Sequence, residues 1–163
     1  MDNCEICEMR GDELELCVQT VRAAFSTVAK TFGLTEVNCP TNAAFMNNER
    51  LLYDHDNGNL MYALKENGCI AGFMQLENNG DGRFELKNIA VVPDCRHKGF
   101  GKMLLDFAKQ KVKQLGGNKI SIGIIEENTV LRQWYEQNGF VHLGTKIYDH
   151  LPFTVGFMET AVE

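Results

Sequence analysis

The chain has no run of ~18 apolar residues, so nothing in it reads as a membrane-spanning helix. Its opening residues, Met1-Asp2-Asn3-Cys4-Glu5, lack the basic start and apolar stretch of a secretion signal, and a cytoplasmic location is expected. Cysteine is present without a framework: the thiols stand at positions 4, 7, 17, 39, 69 and 95, in a chain large enough to fold without staples. Cys4 and Cys7 have the spacing of half a zinc site, but no second Cys/His pair completes it. On a strand the two thiols would also face opposite ways. No metal site is expected. Basic stripes interleaved with aromatics are missing as well, which with a net charge of −6 argues against a nucleic-acid partner.

What is present suits one domain over residues 1–163, since 163 residues supply one sizeable core and divide poorly into two. The charge is uneven. Residues 1–60 carry ten acidic and four basic side chains, whereas residues 61–163 carry twelve of each. Between positions 96 and 119 seven basic residues face one acid, Asp106. That distribution suits an anionic ligand on one side and a cationic one on the other, or simply a solvated, lysine-rich helix face.

Apolar residues at Leu14, Cys17, Val18, Val21, Phe25, Val28 and Phe32 follow helical steps and stop at Gly33. Thr41 is placed to cap a second helix through about Leu52, with a loop over 54–59. Strands are expected at 60–65, 69–76 and 84–92, separated by Asn- and Gly-containing hairpin turns. A helix ending at Gly116-Gly117 follows, then a strand at 119–125, a short helix at 128–137, and strands at 140–148 and 153–159. The order β-α-α-β-β-β-α-β-α-β-β predicts an α+β fold with a mixed, mostly antiparallel central sheet, flanking helices and one strand–helix–strand crossover.

The chemistry concentrates after the strand ending Ile89-Ala90-Val91-Val92-Pro93. Arg96-His97-Lys98-Gly99-Phe100-Gly101-Lys102 opens the next helix with two glycines, where free amides and the positive end of the helix dipole make a seat for phosphate. Arg96 and Lys98 add charge there. A mononucleotide P-loop would need Ser or Thr after Gly101-Lys102, and position 103 is Met; a dinucleotide fingerprint would need glycine at 104, which is Leu.

The remaining pattern, R-x-x-G-x-G after a strand ending A-V-x-P, resembles the acetyl-CoA signature of the GNAT family of N-acetyltransferases. The predicted element order resembles that family's fold over nearly the whole chain. Asn128-Thr129-Val130-Leu131-Arg132-Gln133-Trp134-Tyr135-Glu136-Gln137-Asn138-Gly139-Phe140 resembles its late motif. The resemblance implies that the backbone of Ile89, Ala90 and Val91 binds the pantetheine arm beside a bulge. It implies that amides from Arg96 through Lys102 hold the diphosphate, that Asn128 contacts the cofactor arm, and that Tyr135 lies near the sulfur.

Acetyl transfer to an amine needs a base for an ammonium of pKa ~10 and an acid for the leaving thiolate. The resemblance implies Glu85, six residues before Val91, as the candidate base, with Glu77 in reserve; otherwise Glu85 is a surface charge beside Lys87. Tyr135 is the candidate acid, with Tyr148 as fallback; otherwise it is a packed aromatic beside Trp134. Asn128 also suits a helix cap. The expected function is transfer of acetyl from acetyl-CoA to a primary amine in a ternary complex. The alternative is a non-catalytic acyl-CoA sensor or interaction module. The acidity of residues 1–60 points to a cationic acceptor, and a homodimer is expected by family analogy alone.

Overall fold

The computed structural model describes residues 3–162. Strand β1 (Cys4–Glu8) leads through a 3-10 turn to helix α1 (Glu15–Phe32), and the second helix is α2 (Asn48–Asp56). Strands β2 (Leu60–Glu66), β3 (Cys69–Gly80) and β4 (Arg83–Val91) form the meander. Helix α3 (Phe100–Gln114), β5 (Lys119–Ile125), α4 (Thr129–Gln137), β6 (Val141–Ile147) and β7 (Thr154–Ala161) complete the chain. One seven-stranded sheet runs in the order β1-β2-β3-β4-β5-β7-β6. Every pairing is antiparallel except β4 with β5, which α3 joins as the expected crossover.

Both faces of the sheet are covered, as the unbroken apolar run of β2 requires. Tyr62 and Leu64 pack in a core with Leu104, Leu105 and Ala108 of α3, while Met61 and Ala63 pack with Cys17, Val18 and Val21 of α1. The thiols of β1 divide in the same way, Cys4 toward the α3 side and Cys7 toward the α1 side. Alternation along a pleated strand produces both divisions.

Two expectations are corrected. The second helix is capped by Asn47, whose Oδ1 accepts from Arg50 N at 2.9 Å, and it runs to Asp56, absorbing Asp54 and His55. Thr41 caps nothing: Asn42 Oδ1 takes Ala44 N at 2.9 Å and closes a separate 3-10 turn first. The β3–β4 turn is also tighter than the Asn/Gly run implied. Pairing continues to Gly80↔Arg83, leaving Asp81 and Gly82 at φ 54° and 78° as a two-residue hairpin of the kind that matches strand twist.

Two irregularities position the site. Between the pairs Phe73↔Ala90 and Gln75↔Lys87, β3 has one residue and β4 has two, Asn88 and Ile89, with Asn88 at φ 54°. This bulge shifts the pleat by one. Phe84 and Leu86 face α3, yet Ala90 faces α1, and Ile89 and Val91 take the α3 side. The second irregularity is a splay: β4 and β5 pair only from Arg83↔Lys119 to Glu85↔Ser121. Beyond that point the two strands part.

Candidate active site

The splay opens a cavity of about 1020 Å³, lined by β4 from Glu85 to Val91 and by β5 from Ile122 to Ile125. It runs through the sheet, because its walls include Ala24 and Phe25 of α1 on one face and Leu131, Trp134 and Tyr135 of α4 on the other. Along Ile89, Ala90 and Val91 the backbone edge turned toward β5 has lost its neighbouring strand. Such an edge can take an extended ligand as an added strand. All three residues line the cavity.

Beside the cavity, whose wall reaches this loop at Arg96, the chain turns from β4 through a 3-10 turn at Pro93–Cys95 into α3. Gly99 sits at the N-cap with φ 85°, and the first intrahelical bond is Met103 N to Gly99 O at 3.0 Å. Helix geometry therefore leaves the amides just ahead of Met103 without intrahelical acceptors. A Cβ added at Gly99 would meet nothing within 4 Å, so its outer side is open; at Gly101 it would meet Trp134 Cζ2 at 3.2 Å. Gly101 thus makes room for an indole. Phe100 is buried in the core, leaving only its backbone for a ligand, and His97 is exposed at φ 67°.

The cationic side chains of this loop point elsewhere. Arg96 Nη2 donates to Ala24 O at 2.8 Å and to Thr27 Oγ1 at 2.9 Å, bracing α1 against the loop while remaining in the cavity wall. Lys98 pairs with Glu66 at 3.3 Å, and Lys102 pairs with Asp106 one turn along α3 at 2.8 Å. The seat's attraction for an anion therefore rests on backbone amides and the helix dipole.

Glu85 stands where the β4–β5 pairing ends. Lys87 Nζ lies 3.6 Å from its Oε2 and contacts Glu77 of β3 directly. Burial pushes the Glu85 carboxyl above its usual range, and Glu77 adds to this, while Lys87 pulls it back. Glu85 and Lys87 line the cavity; Glu77, the reserve carboxylate, is held by Lys87 outside the lining. Tyr135 enters from the other face. Its ring stands edge-on to Trp134 at 5.0 Å and to Phe140 at 5.2 Å, and burial drives its phenol far above the ordinary value. Tyr135 and Asn128 both line the cavity, and Asn128 also caps α4 by accepting from Leu131 N at 3.2 Å. Tyr148 is not in the lining; Lys146 lies over its ring and His150 packs edge-on to it.

None of the nine described acids in residues 1–60 lines the cavity. The charge bias of that segment spreads over outward surfaces, so it says nothing of the acceptor. The residues that sequence reasoning missed are Thr27, Lys87, Trp134 and His150. Trp134 was signalled by its helical spacing from Leu131 and by the small residue at 101. Thr27 carried no local signal, since its role depends on Arg96 crossing from another element. Among the described residues no group of three or more His, Cys, Asp or Glu is placed to hold a metal, and no helix is long and apolar enough to cross a membrane.

Comparison with known proteins agrees with this geometry. An N-acetyltransferase in the pepI 3′ region of Lactobacillus delbrueckii subsp. lactis is 24% identical over 98 residues, covering 56% of this chain and 57% of the relative. The matched stretch thus spans little more than half of that relative's length. The fold is similar to the ribosomal-protein-S18-alanine N-acetyltransferase of Escherichia coli, with TM-score 0.79, 16% identity, and coverage of 99% and 95% of the two chains. It is similar also to yncA of Salmonella typhimurium, solved with its cofactor acetyl-CoA, with TM-score 0.72, 16% identity and the same coverage. The Acetyltransferase (GNAT) family matches residues 29–140, and with the splayed sheet and glycine-opened helix already described, the chain belongs to that family.

Proposed function

We propose that this protein moves the acetyl group of acetyl-CoA onto a primary amine by direct attack in a ternary complex, on a single domain. The observation that carries this reading is the cavity. It leads from the turn ahead of α3, where Arg96 stands in its wall, through the gap between β4 and β5, to a half-buried carboxylate on one face and a buried phenol on the other. The fit to the cofactor rests on three features: the open side of Gly99, the unpaired edge of β4, and the passage through the sheet.

In this reading the amides of the segment Arg96 to Lys102 hold the diphosphate, the backbone of Ile89, Ala90 and Val91 holds the pantetheine arm, and Asn128 contacts it. Acetyl-CoA supplies an activated acetyl group. Glu85, made more basic by burial and its neighbour Glu77, accepts a proton from the acceptor's ammonium, directly or through water. Lys87 opposes that rise by its charge and its hydrogen bond. Burial keeps Tyr135 a neutral phenol at rest; as the C–N bond forms and the C–S bond breaks, its O–H donates to the departing sulfur, and the phenolate, disfavoured by burial, takes the second proton from the new amide nitrogen.

Thiol release from acetyl-CoA in the presence of primary amines tests the reading. Glu85→Gln should lower turnover by about 10²–10⁴-fold with acetyl-CoA affinity retained. Tight acetyl-CoA binding without amine-dependent thiol release would leave a sensor in place of an enzyme.

A further inference from the structure

We infer that the acceptor is a small primary amine carrying one apolar body, aryl or branched aliphatic, and no second cationic group; this rests on the acetyltransferase reading above. Part of the cavity is bounded by a small hydrophobic cluster that shares only Phe25 with the α1-side core. Six of its members line the cavity: Phe25 and Val28 of α1, Cys39 of the loop after α1, Ile125 at the end of β5, and Leu151 and Phe153 before β7. Phe25, Val28, Leu151 and Phe153 are only partly buried. They come from two distant segments, pack against one buried cluster and line the same cavity. Large apolar side chains left half-covered in a concave wall gain most when apolar surface closes over them.

Charge in the wall points the same way. Among the described residues Glu85 is the single carboxylate of the lining, whereas Lys87 and Arg96 are both there. One ammonium is matched by Glu85. A second would have to sit against the apolar cluster or beside a cation, where desolvation is uncompensated. The cavity must also take the pantetheine arm, so what remains of its 1020 Å³ suits a small molecule.

The probes are 2-phenylethylamine and 1,4-diaminobutane, each assayed by thiol release, with acetyl-CoA binding measured separately by calorimetry. The expected result is a kcat/KM at least about tenfold higher for phenylethylamine, the discrimination that one well-packed apolar group reaches. Phe153→Asp should erase that preference while leaving acetyl-CoA affinity unchanged. Should that variant fail to fold, Val28→Thr, which adds a hydroxyl at nearly equal volume, should narrow the preference instead. Equal rates, a preference for the diamine, or no acetylation of phenylethylamine by protein that binds acetyl-CoA would overturn the inference and leave the acetyltransferase reading standing. Absence of acetyl-CoA binding would overturn both.

Discussion

Tyr135→Phe separates chemistry from packing at this site. Tyr135 is 3% exposed, between Trp134 and Phe140, and burial alone raises its phenol. The substitution removes one oxygen and keeps the ring. If the O–H protonates the leaving sulfur, turnover should fall by about 10²–10⁴-fold, or about 2.7–5.4 kcal/mol of barrier at 1.36 kcal/mol per decade. Stability should behave differently. No hydrogen bond within the described residues holds the hydroxyl, so its loss should leave the melting temperature unchanged or slightly raised, at about 2–4 °C per kcal/mol for a chain of this size. Acetyl-CoA affinity should stay within about twofold, since binding uses the backbone of β4 and the α3 terminus. The assay is single-turnover acetyl transfer to phenylethylamine, beside thermal melting and calorimetry. Turnover within twofold of the parent would refute the acid role. Loss of acetyl-CoA binding would show that the ring position, not the proton, was disturbed.

Two further outcomes concern pH. Lys87→Met removes the cation that holds Glu85 down, so the acid limb of the rate profile should move to higher pH; Glu77→Gln removes a charge that holds Glu85 up, so the limb should move to lower pH. Shifts in the same direction would contradict the arrangement. Burial pushes the Cys17 thiol from 9.0 up to about 11. Its raised folded value means the unfolded chain loses that proton first, so stability should fall as pH rises from about 9 to about 11. Cys17→Ala should flatten the decline in denaturant titrations; an unchanged slope would assign it to other groups.

The sequence announced most of this architecture because its signals were local. Apolar runs bounded by turn residues marked β2 and β5, Gly33 closed α1 at φ 66°, and the glycine loop stood between a proline-ended strand and a helix. What it hid was long-range. Asn42 and Asn47 both carried capping chemistry, and only their packing shows that each closes its own turn, displacing the expected Thr41 cap. Arg96 looked like a phosphate ligand by position, but Ala24 and Thr27, some seventy residues away in the chain, offer its guanidinium better-placed acceptors. The acidity of residues 1–60 did not locate the site, because net charge counts residues without saying which way they face. Glu85 and Tyr135 were nameable from the family resemblance, whereas their approach to one cavity from opposite faces follows from the β4–β5 splay.

The central claim is that the open N-terminus of α3 seats the diphosphate of acetyl-CoA. Calorimetric titration of the purified protein with acetyl-CoA, beside a Gly99→Glu variant, tests it most directly. At Gly99 a side chain meets no protein atom within 4 Å, so glutamate is tolerated apart from backbone strain of about 1–2 kcal/mol, yet places a carboxylate beside the phosphate seat. The account predicts micromolar binding by the parent and none by a folded variant. Equal binding by the two, or no binding by the folded parent, would contradict it.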